Sequence, residues 1–167
     1  MIELQKFTKR DYKRLISWVD TAETLMQFAG PKFTFPLTSE QLVESYGDPN
    51  RIPFKVIDTN GGVCIGHAEI HLTEFSAYLG RILIGNGQLR GKGLGQEIIK
   101  QLLDYCFNNL NQNNIELNVF EWNINAIKCY EKVGFIINPD KKLEREINGE
   151  KWIALNMTLD RQKWEQL

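Results

Sequence analysis

The sequence predicts an α/β (α+β) fold built on a single mixed, mostly antiparallel sheet flanked by helices. Three observations predict it. Two Asn-Gly dipeptides, Asn60-Gly61 and Asn148-Gly149, each separate alternating apolar runs, the strongest short-range signal of a β-hairpin. Between them a strand pattern, a glycine-rich turn, a helical pattern and a second strand pattern follow in order, and a crossover helix of that kind joins parallel strands. The 167 residues suit one domain, residues 1–167, large enough to bury its own core.

Residues 2–7 alternate as a first strand. Thr8 is placed to cap a helix that turns Tyr12, Leu15, Ile16, Trp18 and Val19 inward. Thr24 to Pro36 is aromatic and broken by Gly30, Pro31 and Pro36. Thr38 with Gln41 matches a capping box opening a short helix through Tyr46. This insertion either walls a pocket or simply covers the core.

Phe54 to Asp58 and Val63 to Leu72 form the first hairpin, and alternation puts His67, Glu69 and His71 on one face of its second strand. The His-x-Glu-x-His spacing does not make a metal site, because two histidines four residues apart on a strand stand roughly 13 Å from one another. A polar strand face is the default for these three. The alternative is that Glu69 or a histidine takes a proton from a bound molecule, directly or through water.

Tyr78 to Ile84 reads as a buried strand. Ile98, Ile99, Leu102, Leu103, Cys106 and Phe107 recur at helical spacing and predict a helix from about Gly93 to Asn109. Between them lies Gln88-Leu89-Arg90-Gly91-Lys92-Gly93-Leu94-Gly95. First-turn N–H groups of a helix have no intrahelical partner, and the helix dipole adds positive charge there, so this arrangement suits an anion. Two familiar phosphate motifs fail on spacing. G-x-x-x-x-G-K-S/T would need glycine where Asn86 stands and Ser or Thr where Gly93 stands; G-x-G-x-x-G would need glycine at Gln96. What remains is Q-x-x-G-x-G.

Asn108 to Asn114 stops the helix, and Ile115 to Phe120 alternates as the next strand. Asn123 to Gly134 predicts a short helix with Asn123 or Asn125 near its start and Gly134 at its end. Residues 144–147 and 152–159 close the sheet as the second hairpin.

The loop Q-x-x-G-x-G and the pattern N-x-x-A-x-x-x-Y-x-x-x-G-F, formed by Asn123, Ala126, Tyr130, Gly134 and Phe135, resemble the two signatures of the GNAT superfamily of N-acetyltransferases. The resemblance covers most of the chain and is specific from about residue 78 to 135. It implies that the two central parallel strands splay apart and admit acetyl-CoA, with no metal. Backbone amides around Leu89 to Gly95, with Gln88, Arg90 and Lys92 beside them, would grip the pyrophosphate. Leu83 and Ile84 would pair with the pantetheine amides, Asn123 would contact that arm, and Tyr130 would lie near the sulfur as general acid. Glu69 is the candidate base, with His71 or a water relay behind it.

Trp18, the Phe-x-Phe-Pro element at residues 33–36 and the block from Tyr105 to Phe135 resemble the branch holding ribosomal-protein N-terminal, spermidine and some aminoglycoside acetyltransferases. The acceptor implied is a small-molecule amine or a peptide N-terminus. The other reading is a CoA-binding module of the same fold that has lost turnover.

Twenty basic and twenty-one acidic side chains leave a formal charge of −1, which does not advertise nucleic acid as a partner. No apolar run reaches the roughly 18 residues of a membrane span. Cys64, Cys106 and Cys129 form no C-x-x-C pair, and no signal peptide is evident, so reduced thiols and a cytoplasmic location are expected. A homodimer is compatible with these features.

Overall fold

The computed structural model describes residues 1–167. Seven strands, β1 (Ile2–Lys6), β2 (Arg51–Asp58), β3 (Val63–Leu72), β4 (Ala77–Ile84), β5 (Asn114–Phe120), β6 (Ile136–Ile147) and β7 (Glu150–Asp160), make one sheet in the order β1-β2-β3-β4-β5-β7-β6. Only β4 and β5 run parallel. Every other neighbour is antiparallel, as the hairpin signals predict.

Helices α1 (Tyr12–Trp18), α2 (Ala22–Ala29) and α3 (Ser39–Ser45) fill the connection from β1 to β2 and cover one face of the sheet. Leu15, Leu25, Phe28 and Leu42 form the core there, against Phe7. Helix α4 (Leu94–Asp104) crosses from β4 to β5 over the other face, where Ile98, Ile99, Leu102 and Leu103 pack on Val56, Ile70, Leu79, Leu117 and Met157. Helix α5 (Ile124–Lys132) joins this second layer through Ile127, and α6 (Arg161–Trp164) closes the chain.

The predicted helix from Gly93 to Asn109 is α4 followed by a π turn, Tyr105–Asn109. Helix α2 was hidden in sequence by Gly30 and Pro31, which end its pattern after eight residues. Strand β2 starts at Arg51, ahead of the predicted Phe54, and carries Pro53 opposite Glu69. Strand β6 starts at Ile136, and its mostly exposed first half has no apolar alternation to announce it.

The feature that positions the site is the way β4 and β5 part. They pair only where Ala77, Tyr78 and Leu79 face Ile115, Glu116 and Leu117. Side chains clasp this closed end. The Tyr78 hydroxyl donates to Glu116 at 2.7 Å, Ser76 donates to the other carboxylate oxygen at 2.9 Å, and Lys141 contacts both Tyr78 and Glu116.

Beyond Leu79 the strands separate. On its other side β4 slips register against β3 between His67 and Glu69, where Arg81 takes a positive φ of 49°. This is a β-bulge, which bends the strand that carries it. His67 Nδ1 donates to the Arg81 carbonyl at 2.8 Å, so its Nε2 is free to accept from the Tyr46 hydroxyl at 3.1 Å. At the far end of β4, Gly85 admits the Trp18 ring, since a Cβ there would lie 2.1 Å from Trp18 Cε2.

Candidate active site

Two cavities open along the parted strands. The first, of about 680 Å³, is lined by Leu83 and Ile84 of β4, by Arg90, Gly91, Gly93 and Gly95 of the glycine loop, and by Asn123, Ala126 and Tyr130 at α5. Its loop has an unusual shortage of acceptors. Thr21, Thr38, Asn123 and Asp160 each cap a helix with a side-chain oxygen. Helix α4 begins at Gly93, which has no side chain to offer.

The first intrahelical bond there is from Glu97 N–H to the Gly93 carbonyl, and the N–H groups of residues 91–96 have no acceptor within the protein. Gly91 and Gly93 hold positive φ values of 77° and 83°, and no atom lies within 4 Å of where their Cβ would be. Uncapped donors, a helix N-terminus and open space above two glycines fit a phosphate or pyrophosphate.

The loop is not used as evenly as the sequence suggests. The N–H groups of Leu89 and Arg90 close a tight turn onto Asn86 and Gly87. The free donors therefore begin at Gly91. Leu89 and Leu94 pack their side chains on the core. Arg90 lines the cavity and folds back, donating from Nη2 to the Ile84 carbonyl at 3.1 Å. Gln88 and Lys92 are exposed and stand outside the cavity lining.

The second cavity, of about 290 Å³, is walled by α2 and the residues after it, by β3 and β4, and by the ends of β5, β6 and β7. Here the strand face read as polar surface is interior. His67 is fully buried and Glu69 is 2% exposed, because α1–α3 lie over them. Glu69 accepts from Arg51 on one oxygen and from Arg81 Nη1 on the other at 2.9 Å. Arg81 Nη1 also donates to Ser45 at 2.9 Å, and the guanidinium lies 4.3 Å over the Phe33 ring.

Burial pushes the His67 imidazole down to about 4, the neighbouring hydrogen bonds notwithstanding. Burial, followed by the Arg51 charge, also lowers His71, which sits 3.5 Å from Asp48.

Both cavities are lined by Gln27, Phe28, Ile82, Asn123 and Tyr130, so they meet there. Asn123 caps α5 by accepting from Ala126 N–H at 3.3 Å, which leaves its amide N–H groups for another partner. Burial raises the Tyr130 phenol above its usual range, so it keeps its proton at neutral pH.

Of the residues named from sequence, Glu69, Asn123, Tyr130, Leu83 and Ile84 line these cavities. Sequence reasoning missed Arg51 and Arg81 because single arginines on strands carry no local signal; only strand pairing brings them to Glu69.

The sequence profile of the acetyltransferase (GNAT) family matches residues 16–135. The chain is 39% identical over 62 residues to the spermine/spermidine N(1)-acetyltransferase of Bacillus subtilis strain 168, an alignment covering 37% of this chain and 38% of that protein. It is 38% identical over 53 residues to the aminoglycoside N(6')-acetyltransferase type 1 of Klebsiella pneumoniae, covering 32% and 26%. These alignments span well under half the length of either relative. A spermidine N-acetyltransferase from Vibrio cholerae, solved in complex with CoA and spermine, superposes over 98% of both chains with a TM-score of 0.81 and 27% identity.

Proposed function

The chain belongs to the acetyltransferase (GNAT) family, and from that premise we propose that it transfers an acetyl group from acetyl-CoA to a primary amine by direct attack. The observation that carries the reading is the meeting of two cavities at Tyr130. The N–H groups of residues 91–96 would hold the pyrophosphate, and the β4 backbone at Leu83 and Ile84, free of β5 and with Arg90 to be displaced from the Ile84 carbonyl, would receive the pantetheine amides. Tyr130 would donate the proton that the departing thiolate needs. Three free cysteines agree with a reducing, cytoplasmic setting.

Glu69 enters as the anchor of Arg51 and Arg81, because both its oxygens already accept guanidinium hydrogen bonds. His71 is the better candidate to take the amine's proton: it lines the acceptor cavity, and its lowered pKa keeps it neutral. His71→Gln should depress kcat/KM at neutral pH and approach wild type at high pH, where free amine is abundant. An equal ratio at every pH removes His71 from the reaction.

The test of the reading is thiol release from acetyl-CoA with an amine panel, followed by mass spectrometry of the products. An acetylated amine is expected. Tight acetyl-CoA binding without turnover of any amine would favour the binding module instead.

A further inference from the structure

The acceptor cavity has the wrong charge for a polycation. Lys32, Arg51, Arg81 and Arg145 line it against a single carboxylate, Glu69. That carboxylate is spent on Arg51 and Arg81, which are themselves 14% and 6% exposed and cannot swing away from it cheaply. Arg81 is further held by Ser45 and by Phe33. Its Nη1 satisfies both protein acceptors, so Nε and Nη2 have none. Lys32 and Arg145, on the α2 side and on β6, have no carboxylate partner, and Arg145 reaches only its neighbour's carbonyl. Burial and Arg51 keep His71 neutral, so it does not add to the excess.

From this we infer that the acceptor is a small amine carrying a carboxylate or a phosphate, received by Lys32, Arg145 and the outward donors of Arg81. The inference rests on the acetyltransferase reading and narrows its substrate. Guanidinium groups bind such anions through paired N–H donors, which gives orientation as well as charge. The same excess of positive charge helps the chemistry at the other end of the substrate. Cations near an ammonium disfavour its charged form, so the amine loses its proton more readily and presents the lone pair that attack requires. A polyamine or an aminoglycoside meets the opposite situation, with each additional ammonium facing a cationic wall and no free carboxylate.

The experiment compares kcat/KM for 4-aminobutanoate, phosphoethanolamine, their counterparts without the anionic group, 4-aminobutanamide and ethanolamine, and spermidine, all at saturating acetyl-CoA. An amine carrying an anionic group is expected to exceed its counterpart without one at least tenfold and spermidine at least a hundredfold; the carboxylate and phosphate arms show which anion fits. Lys32→Glu with Arg145→Glu, two changes at accessible positions, should erase that preference and raise spermidine. Higher kcat/KM for spermidine or ethanolamine in the wild type overturns the inference. If no amine turns over, calorimetry with CoA present decides. Binding of an amine carrying an anionic group, lost in the double variant, supports the inference and strikes only the transfer reading, while binding of spermidine alone, or of none of them, overturns it.

Discussion

The two cavities that meet at Tyr130 are built from different materials. The larger is made mostly of backbone: N–H groups of residues 91–96, two glycines at positive φ, and a strand edge left unpaired. The smaller is made of side chains drawn from six strands and the α2 segment, and charge dominates it. A backbone site binds what every member of a family shares, and only a change of main-chain geometry disturbs it. A side-chain site can be rewritten residue by residue, so selectivity belongs there.

The largest effect is expected where the side-chain wall is also part of the core. Glu69→Ala removes the carboxylate that Arg51 and Arg81 share, leaving Arg51 only Asp48 at 3.7 Å and Arg81 no carboxylate. Removing one partner of a buried ionic group costs about 3–5 kcal/mol. Denaturant unfolding should show a loss of that size, and Arg51→Ala combined with Glu69→Ala should recover part of it. A loss below about 1 kcal/mol would mean that the ion cluster does not hold the wall.

At the junction, Tyr130→Phe removes only a hydroxyl, and the ring keeps its edge contact with Phe135. General acid assistance is typically worth about 10²–10⁴ in rate. Turnover should fall at least tenfold with acetyl-CoA affinity and melting temperature little changed. Wild-type turnover would assign thiolate protonation to water.

How much of each wall could be read in advance follows from the same contrast. Gly91, Gly93 and the pattern opening α4 are contiguous, so the loop with its uncapped helix start was legible. The second signature, Asn123 through Phe135, was legible for the same reason. The ion cluster joins residues 51, 69 and 81 through pairings that exist only after β2, β3 and β4 assemble. Alternation correctly put His67 and Glu69 on one face. It could not say that α1–α3 cover that face, because the insertion's own pattern is interrupted by Gly30 and Pro31.

Within the backbone wall, a loop side chain and a loop glycine should behave differently. Gly93→Asp puts a Cβ and a carboxylate at a left-handed position among the uncapped N–H groups. Its carboxylate would cap the helix that the pyrophosphate needs. Calorimetry should show acetyl-CoA affinity falling on the order of a hundredfold, about 2.7 kcal/mol, in a folded protein. Lys92→Ala, at an exposed position outside the cavity lining, should change affinity less than about threefold, and added salt should erase the difference. Equal losses in the two variants would make the loop a charge patch.

The last expected effect lies beneath both walls, at the residue holding the bulge that parts the strands. His67 is fully buried, edge-on to Phe7 and Phe28, and donates to the Arg81 carbonyl at the bend. Its pKa falls from 6.5 to about 4 on folding, with burial as the leading cause. Between those values the unfolded chain binds a proton that the folded chain refuses, so stability is complete above about pH 6.5 and is lost as pH falls towards 4. With one pKa unit worth about 1.36 kcal/mol, the loss from pH 7 to pH 5 amounts to about 2 kcal/mol. That window lies mostly above carboxylate titration, so the histidines dominate it. His67→Gln should lower stability at pH 7 yet flatten the decline from pH 7 to 5, leaving the smaller share of half-buried His71. An unchanged slope would show that His67 is not the buried titrating group, and the bulge would then need another anchor than a neutral imidazole.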